Sequence, residues 1–239
     1  MARAAAPGTA VERLVGFLLD DAPTDPLADE LTEWLARSAR FRAFAEAHQD
    51  KIRKKLRGAV DAEARRDVRA ELRAAHLLLT DRRLELAFEA YGSAKGGPDF
   101  SITFRSGQSF NLEVTRLRRP PDATDLGGHL LAKLPQLPPS KPNALLVAIE
   151  GDSAEALDVA AAARALRARA DAKDGSFFTS RGFEGTRAFY ERYLRLSAVL
   201  VWCEAAAGDA RATLWTNASA RIALPERSAR ACLLCLRAG

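Results

Sequence analysis

Two acidic residues stand where two short strands would bring them face to face. Asp99 follows Gly97 and Pro98 and opens the alternating run that ends at Phe104, and Glu113 lies inside a second alternating run, Ser109 to Leu117. Arg105, Ser106 and Gly107 between them suit a three-residue hairpin loop whose last residue, the glycine, takes the left-handed conformation. That loop pairs Phe104 with Gln108, Ile102 with Phe110 and Phe100 with Leu112, so the apolar residues share one face. The same register sets Asp99 opposite Glu113, with Asn111 and Thr115 on the same polar face. Opposed positions carry Cβ atoms about 4.5–5.5 Å apart. Two carboxylates at that range repel, and no lysine adjacent in sequence relieves them. A divalent cation held by a few carboxylate oxygens, with water completing its shell, is the expected remedy.

The positive charges around this pair can be enumerated, because the chain has only seven lysines: Lys51, Lys54, Lys55, Lys95, Lys133, Lys141 and Lys173. Lys133 lies on the helix expected after the second strand, with Gln136 one turn on. Lys95, in the glycine-rich segment before Asp99, is the second candidate. His129 precedes Lys133 by one helical turn; the three histidines otherwise lack metal-ligand spacing. Arg116, Arg118 and Arg119 follow Glu113 closely, Arg116 and Arg118 on the strand face opposite Thr115. They suit phosphate contacts as well as they suit edge-strand charges that discourage aggregation. Residues 37–57 hold eight basic residues against Glu46 and Asp50, densest around Lys54 and Lys55. A solvated helix face is the simplest reading of that run, and a phosphate-contacting face is the alternative.

The elements that must position these groups follow from periodicity. Residues 9–79 read as helical, with a break from Asp20 to Pro26. Val11, Leu14, Val15 and Leu18 mark one amphipathic stretch, and Leu31, Trp34 and Leu35 another. A third helix spans roughly Asp61 to Leu79, with Glu71 at the flank of its apolar stripe and therefore partly shielded. The pattern then changes to strands at Leu84–Tyr91, Asp99–Phe104 and Ser109–Leu117. A helix is expected over Leu126–Leu134, and a strand buried on both faces over Asn143–Ile149. Helices follow at Ala154–Lys173 and 185–195, the latter beside a Phe- and Gly-rich segment from Asp174. Strands at Ser197–Cys203 and Arg211–Thr216 and a helix over Glu226–Arg237 complete the chain. A meander passing into crossover connections implies an α/β fold, a mixed central sheet flanked by helices on both faces. The domain reading is an N-terminal helical extension, residues 1–58, and an α/β domain, residues 59–239.

Composition bounds the rest. The chain has 239 residues, 48% hydrophobic and 28% charged, enough for a sizeable core and a wet surface. No apolar run approaches the ~20 residues of a membrane helix, and the first residues do not resemble a signal peptide. Three cysteines do not make a disulfide framework; Cys232 and Cys235, three apart on a leucine-rich helix, read as small buried residues, and a reducing cytoplasm is the expected setting. The net charge of +5 permits a nucleic-acid partner without requiring one, since arginine-rich composition also follows from GC-rich coding. No phosphate-binding glycine loop and no nucleophile elbow is present.

The segment from Pro98-Asp99 to Glu113-Val114-Thr115, on strand, strand and following helix, resembles the PD-(D/E)XK, or restriction-endonuclease-like, nuclease superfamily. The resemblance covers residues 61–150. It departs from the family pattern at Thr115, which stands where the motif has lysine. What it implies is metal-dependent hydrolysis of a phosphodiester, by an endonuclease acting on nucleic acid, with DNA ranked ahead of RNA as the partner. Asp99, Glu113 and the backbone carbonyl of Val114 would bind Mg²⁺, or Mn²⁺ in its place. Glu71 would supply the extra acid that the family often carries on the preceding helix, and Thr115 can orient a water. Some members place the missing basic group on the helix after the motif, which makes Lys133 the candidate substitute. Arg116, Arg118, Arg119, Lys54 and Lys55 are the candidate nucleic-acid contacts. The alternative is a nuclease-like fold that has lost cleavage and binds nucleic acid or a protein partner. The N-terminal helices are a candidate docking module, with a homodimer among the expected states.

Overall fold

The computed structural model describes residues 9–22, 24–91, 97–105, 107–117, 123–150, 157–204 and 210–238. The chain forms two compact units, Met1–Thr80 and Asp81–Gly239.

The first unit is helical. Helix α1 spans Ala10–Leu18 and opens on a capping box in which Thr9 and Glu12 satisfy each other's backbone N–H groups. The expected break follows, and Asp20 and Asp21 both take positive φ there, 55° and 56°. Then come α2 (Ala28–Arg37), α3 (Ala39–Ala47), α4 (Gln49–Gly58) and α5 (Ala62–Leu78). Ser38 and Asp61 cap α3 and α5 through their side chains. Leu18, Leu31, Leu35, Phe41, Ile52 and Leu56 are fully buried, each contributing about 1.5–3 kcal/mol. The sequence reading began the second domain at residue 59, whereas α5 groups with the four helices before it. Ion pairs and stacking explain this. Arg65 pairs with Asp25 and donates to the Leu56 carbonyl at 2.6 Å. Arg69 pairs with Glu30, and His76 stacks on Trp34 with ring centroids 5.6 Å apart.

The second unit is α/β. Its strands β1 (Leu84–Phe88), β2 (Phe100–Phe104), β3 (Gln108–Leu117), β4 (Asn143–Glu150), β5 (Leu196–Glu204) and β6 (Arg211–Thr216) form one six-stranded sheet in the order β1-β2-β3-β4-β5-β6. β1, β2 and β3 are antiparallel neighbours, β3, β4 and β5 run parallel, and β6 returns antiparallel. The parallel pairs need crossovers. The first is helix α6 (Ala123–Lys133), followed by a 3-10 turn at Leu134–Gln136; the second comprises α7 (Val159–Asp171), α8 (Gly175–Thr179) and α9 (Thr186–Tyr193). Two right-handed crossovers advancing in one direction across a sheet put their helices on one face. One core accordingly joins Leu126, Leu130, Leu166, Phe178 and Phe189 to Leu145, Val147, Val199 and Val201. The Phe-rich segment from Asp174 is part of this core, with Phe178 stacked on Phe189 at 4.5 Å. Helix α10 (Glu226–Arg237) packs on β5 and β6, supplies nothing to that core, and buries Cys232 and Cys235. All three cysteines are free and buried, and burial pushes the Cys232 thiol well above its ordinary range. No helix among the described residues is long and apolar enough to cross a membrane.

Candidate functional site

The β2–β3 hairpin fixes the site. Its register is the one that burial of the apolar face demands: Phe100 pairs with Leu112, Ile102 with Phe110 and Phe104 with Gln108. The turn differs from expectation in one respect. Arg105, the first loop residue, takes the left-handed conformation at φ 52°, whereas Gly107, the residue expected to take it, lies at φ 157°. Asp99 precedes Phe100 and Glu113 follows Leu112, so the two acids occupy the next opposed positions. Both are buried, Asp99 at 9% and Glu113 at 3% exposure. Asp99 sits one residue before β2 begins, and its Oδ2 accepts the Val114 N–H at 2.9 Å. The carboxylate thereby extends the ladder by one bond and is anchored to the strand that carries Glu113. On its other side the Asp99 carbonyl accepts the Glu89 N–H at 2.8 Å, tying β1 to the same point.

No lysine adjacent in sequence meets the acidic pair; the candidate on the following helix does. Lys133, at the last turn of α6, reaches back to the sheet and places Nζ 2.8 Å from Glu113 Oε1. Gln136, one turn further along, adds a second donor: with its amide nitrogen facing the carboxylate it bonds Oε1 and lies 3.3 Å from Oε2. The contact arises because β3 and β4 are parallel neighbours, so the connection between them carries α6 back along the sheet. The Glu113 side chain is 4% exposed and that of Lys133 24%, so the pair is screened from bulk water on the acid's side and open on the lysine's. Thr115 lies two residues beyond Glu113 on the same strand face and is half-buried. His129 is half-buried on α6.

A buried polar chain holds the strand ends below these groups. Tyr91 Oη donates to Asn111 Oδ1 at 3.2 Å, and Asn111 Nδ2 donates to Asn143 Oδ1 at 2.9 Å. Asn143 Nδ2 serves the carbonyls of Pro138, Lys141 and Arg195, and its backbone N–H meets Ser197 Oγ at 3.0 Å. Asn111 and Asn143 are both fully buried. This pins β3, β4 and β5 in register under the acids, since leaving any of these groups unpaired would cost about 1–3 kcal/mol. Asn143 opens the otherwise apolar strand β4, and Asn111 lies on the polar face of β3 next to Glu113.

Glu71, Lys54 and Lys55 belong to the first unit, and Arg116 to the other face of β3. Glu71 is buried at 7% exposure in the first unit, where Lys55 pairs with it. Lys55 is therefore engaged within its own helices, while Lys54 is exposed on α4. Arg116 points to the sheet face opposite Glu113 and is buried at 7% exposure, a poor position for meeting a phosphate from solvent. Lys95, Arg118 and Arg119 lie outside the described residues. Among the described residues no three His, Cys, Asp or Glu side chains converge as a metal-holding group.

Asp99 and Glu113 carry hard oxygen donors at neighbouring strands, the donor type that Mg²⁺ takes in small number while retaining water. Comparisons with protein-family models, with curated proteins and with solved structures gave no match.

Proposed function

We propose that this chain is a metal-dependent nuclease of the restriction-endonuclease-like kind, hydrolysing phosphodiester bonds of nucleic acid, with its basic group moved from the motif strand to the following helix. The observation that carries the reading is the contact of Lys133 with Glu113, beside an Asp99 locked to the same strand. The order of elements agrees with it: a helix, a three-strand meander, a crossover helix and a parallel strand. Fold order alone never fixes chemistry; the acid–acid–lysine cluster is what gives it content.

In this reading Asp99, Glu113 and the Val114 carbonyl would hold Mg²⁺ or Mn²⁺. When bound, the cation acidifies water and offsets charge at the phosphate. Lys133 supplies the positive charge that Thr115 lacks, aimed at the carboxylate and, from its open side, at a phosphate beside it. Gln136 shares the load on Glu113 and keeps that carboxylate oriented. The Thr115 hydroxyl, on the same face, positions a water. DNA is the preferred substrate class, with exposed Lys54 among the candidate backbone contacts.

The test combines calorimetry with cleavage. Mn²⁺ or Mg²⁺ is titrated into wild type, Asp99→Asn and Glu113→Gln, and DNA and RNA substrates are incubated with each protein and with Lys133→Ala. Binding that disappears in both acid variants, together with cleavage reduced about a hundred-fold or more in Lys133→Ala, supports the proposal. Wild type that neither binds metal at millimolar concentration nor cleaves either substrate sinks it. A second reading has its own observation: Glu113 already has its charge compensated by Lys133 and Gln136. A fold that has lost cleavage and binds nucleic acid or a protein partner needs no more than that. Oligonucleotide binding indifferent to divalent metal and to Asp99→Asn would favour it.

A further inference from the structure

A cavity lies on the sheet face that carries Glu113, away from the acids. It encloses about 180 Å³ between α7 and β6. Helix α7 offers Ala160, Ala163, Arg164 and Arg167, spaced as one helical face. The other wall is Trp215, followed by Thr216 and Ser219. Trp215 pairs with Val199, which pairs with Leu145, which pairs with Glu113. The cavity is thus in register with Glu113 but separated from it by β4 and β5, whose residues in that row are buried.

Three properties define what would occupy it. First, the tryptophan is half-buried: part of its ring packs on the core and the rest borders the cavity. The other two tryptophans, Trp34 and Trp202, are buried. Second, alanines opposite the indole leave a slot with space for one planar ring system, well below the ~300 Å³ of a drug-sized pocket. Third, Arg164 and Arg167 are both exposed at the cavity. Among the described residues Arg164 pairs with Asp158 at 3.7 Å, with side chains 70% and 60% exposed, a contact worth little in water and readily exchanged for a phosphate. Asn217 at the floor is spent on structure: it donates to the Leu196 carbonyl at 2.8 Å and accepts the Ser219 N–H at 3.0 Å, which holds the Trp215–Ser219 turn in shape without a ligand.

We infer that this cavity binds a nucleoside monophosphate unit, its base stacked on Trp215 and its phosphate held by Arg164 and Arg167. Stacking on an aromatic face serves any base, and arginine forks suit phosphate oxygens. Thr216 and Ser219 add hydroxyls at the rim for the base edge or sugar. The unit can be a free nucleotide or the terminal residue of a nucleic-acid strand. The site stands independently of the cleavage reading.

The test is tryptophan fluorescence on the full chain without divalent metal, titrated with adenosine 5′-monophosphate, adenosine and inorganic phosphate. The expected result is saturable quenching by the nucleotide, lost in Trp215→Ala and retained in Trp215→Phe when followed by calorimetry, which also guards against misfolding of the alanine variant. Arg164→Gln with Arg167→Gln should weaken the nucleotide about ten-fold or more, a loss of about 1.4 kcal/mol, and adenosine much less. Glu113→Gln should bind the nucleotide as wild type does. Competition by a 5′-phosphorylated oligonucleotide at lower concentration than the mononucleotide identifies a strand end as the source, and failure to compete identifies the free nucleotide. No saturable response up to ~5 mM nucleotide, or affinity unchanged in both the Trp215 and the arginine variants, overturns the inference.

Discussion

At the scale of residues, the Glu113–Lys133 pair is the most consequential contact in the second unit. A carboxylate that is 4% exposed tolerates its charge only with partners, and removing one partner from such a pair costs more than the pair itself contributes. Lys133→Met is expected to destabilise the protein by about 2–4 kcal/mol, read from the urea midpoint, because the aliphatic stem is kept and the charge is lost. Adding Glu113→Gln to that variant should recover part of the loss, since an uncharged amide no longer needs the lysine; a double variant as unstable as the sum of the two singles would show that the pair is not coupled. Asp99 separates in the same way. Asp99→Asn retains an acceptor for the Val114 N–H and should cost less than about 1 kcal/mol, whereas Asp99→Ala strands that buried donor and should cost about 1–3 kcal/mol. Equal stabilities of the two variants would mean that the hydrogen bond does not hold the strand end.

At the scale of elements, the two units carry different signatures. In the sheet, Asn143 is the hub linking β3, β4 and β5, and Asn143→Ala is expected to lose about 2–3 kcal/mol and to speed amide exchange at the starts of those strands first. In the helical unit, His76 of α5 is a titrating ring packed on Trp34 of α2. Burial against Trp34 and Phe41, then the charges of Arg73 and Arg37, lower its pKa from 6.5 to about 4. The unfolded chain therefore takes up the proton more readily than the folded one, and stability falls as pH drops from 6.5 towards 4. After discounting for the ring's partial exposure, about 1–2 kcal/mol is at stake. His48, also lowered by burial and then by Lys51, acts in the same direction. His76→Phe keeps a stacking ring and should flatten the profile over that window in chemical denaturation at several pH values; an unchanged slope would assign the acid sensitivity elsewhere.

At the scale of the whole molecule, the metal proposal has a thermodynamic consequence independent of turnover. A ligand that binds only the folded state stabilises it by about 2.7 kcal/mol at a hundred times its Kd. Mn²⁺ should raise the thermal midpoint of wild type, and the rise should vanish in Asp99→Asn. A rise of the same size in that variant would locate cation binding away from β2 and β3. The net charge of +5 adds an electrostatic expectation: nucleic-acid binding should weaken steeply with salt in proportion to the phosphates contacted.

The sequence by itself determined the elements and the hairpin. Alternation of period two in residues 99–104 and 109–117 fixed which residues face the core, and a one-residue slip would have buried Ser101 and Thr103 in place of Phe100, Ile102 and Phe104. The opposition of Asp99 and Glu113, the buried character of β4 and β5, and the inert cysteines all followed from such local patterns. Only the tertiary structure decided what meets what across a crossover. Lys133 is twenty residues from Glu113, and its arrival at that carboxylate depends on the handedness of the β3–α6–β4 connection and on α6 packing over the strand. The same holds for Lys55, whose basic run suggested a phosphate-facing surface but which is spent on Glu71 within the helices. Arg116 is the third case: strand alternation gave its face correctly, yet whether that face met solvent or protein depended on elements packing over it. Trp215 with Arg164 and Arg167 is the fourth. Nothing local joins them, because side chains brought together from α7 and β6 share no period, only a sheet that places β6 beside β5 and a helix that crosses above it.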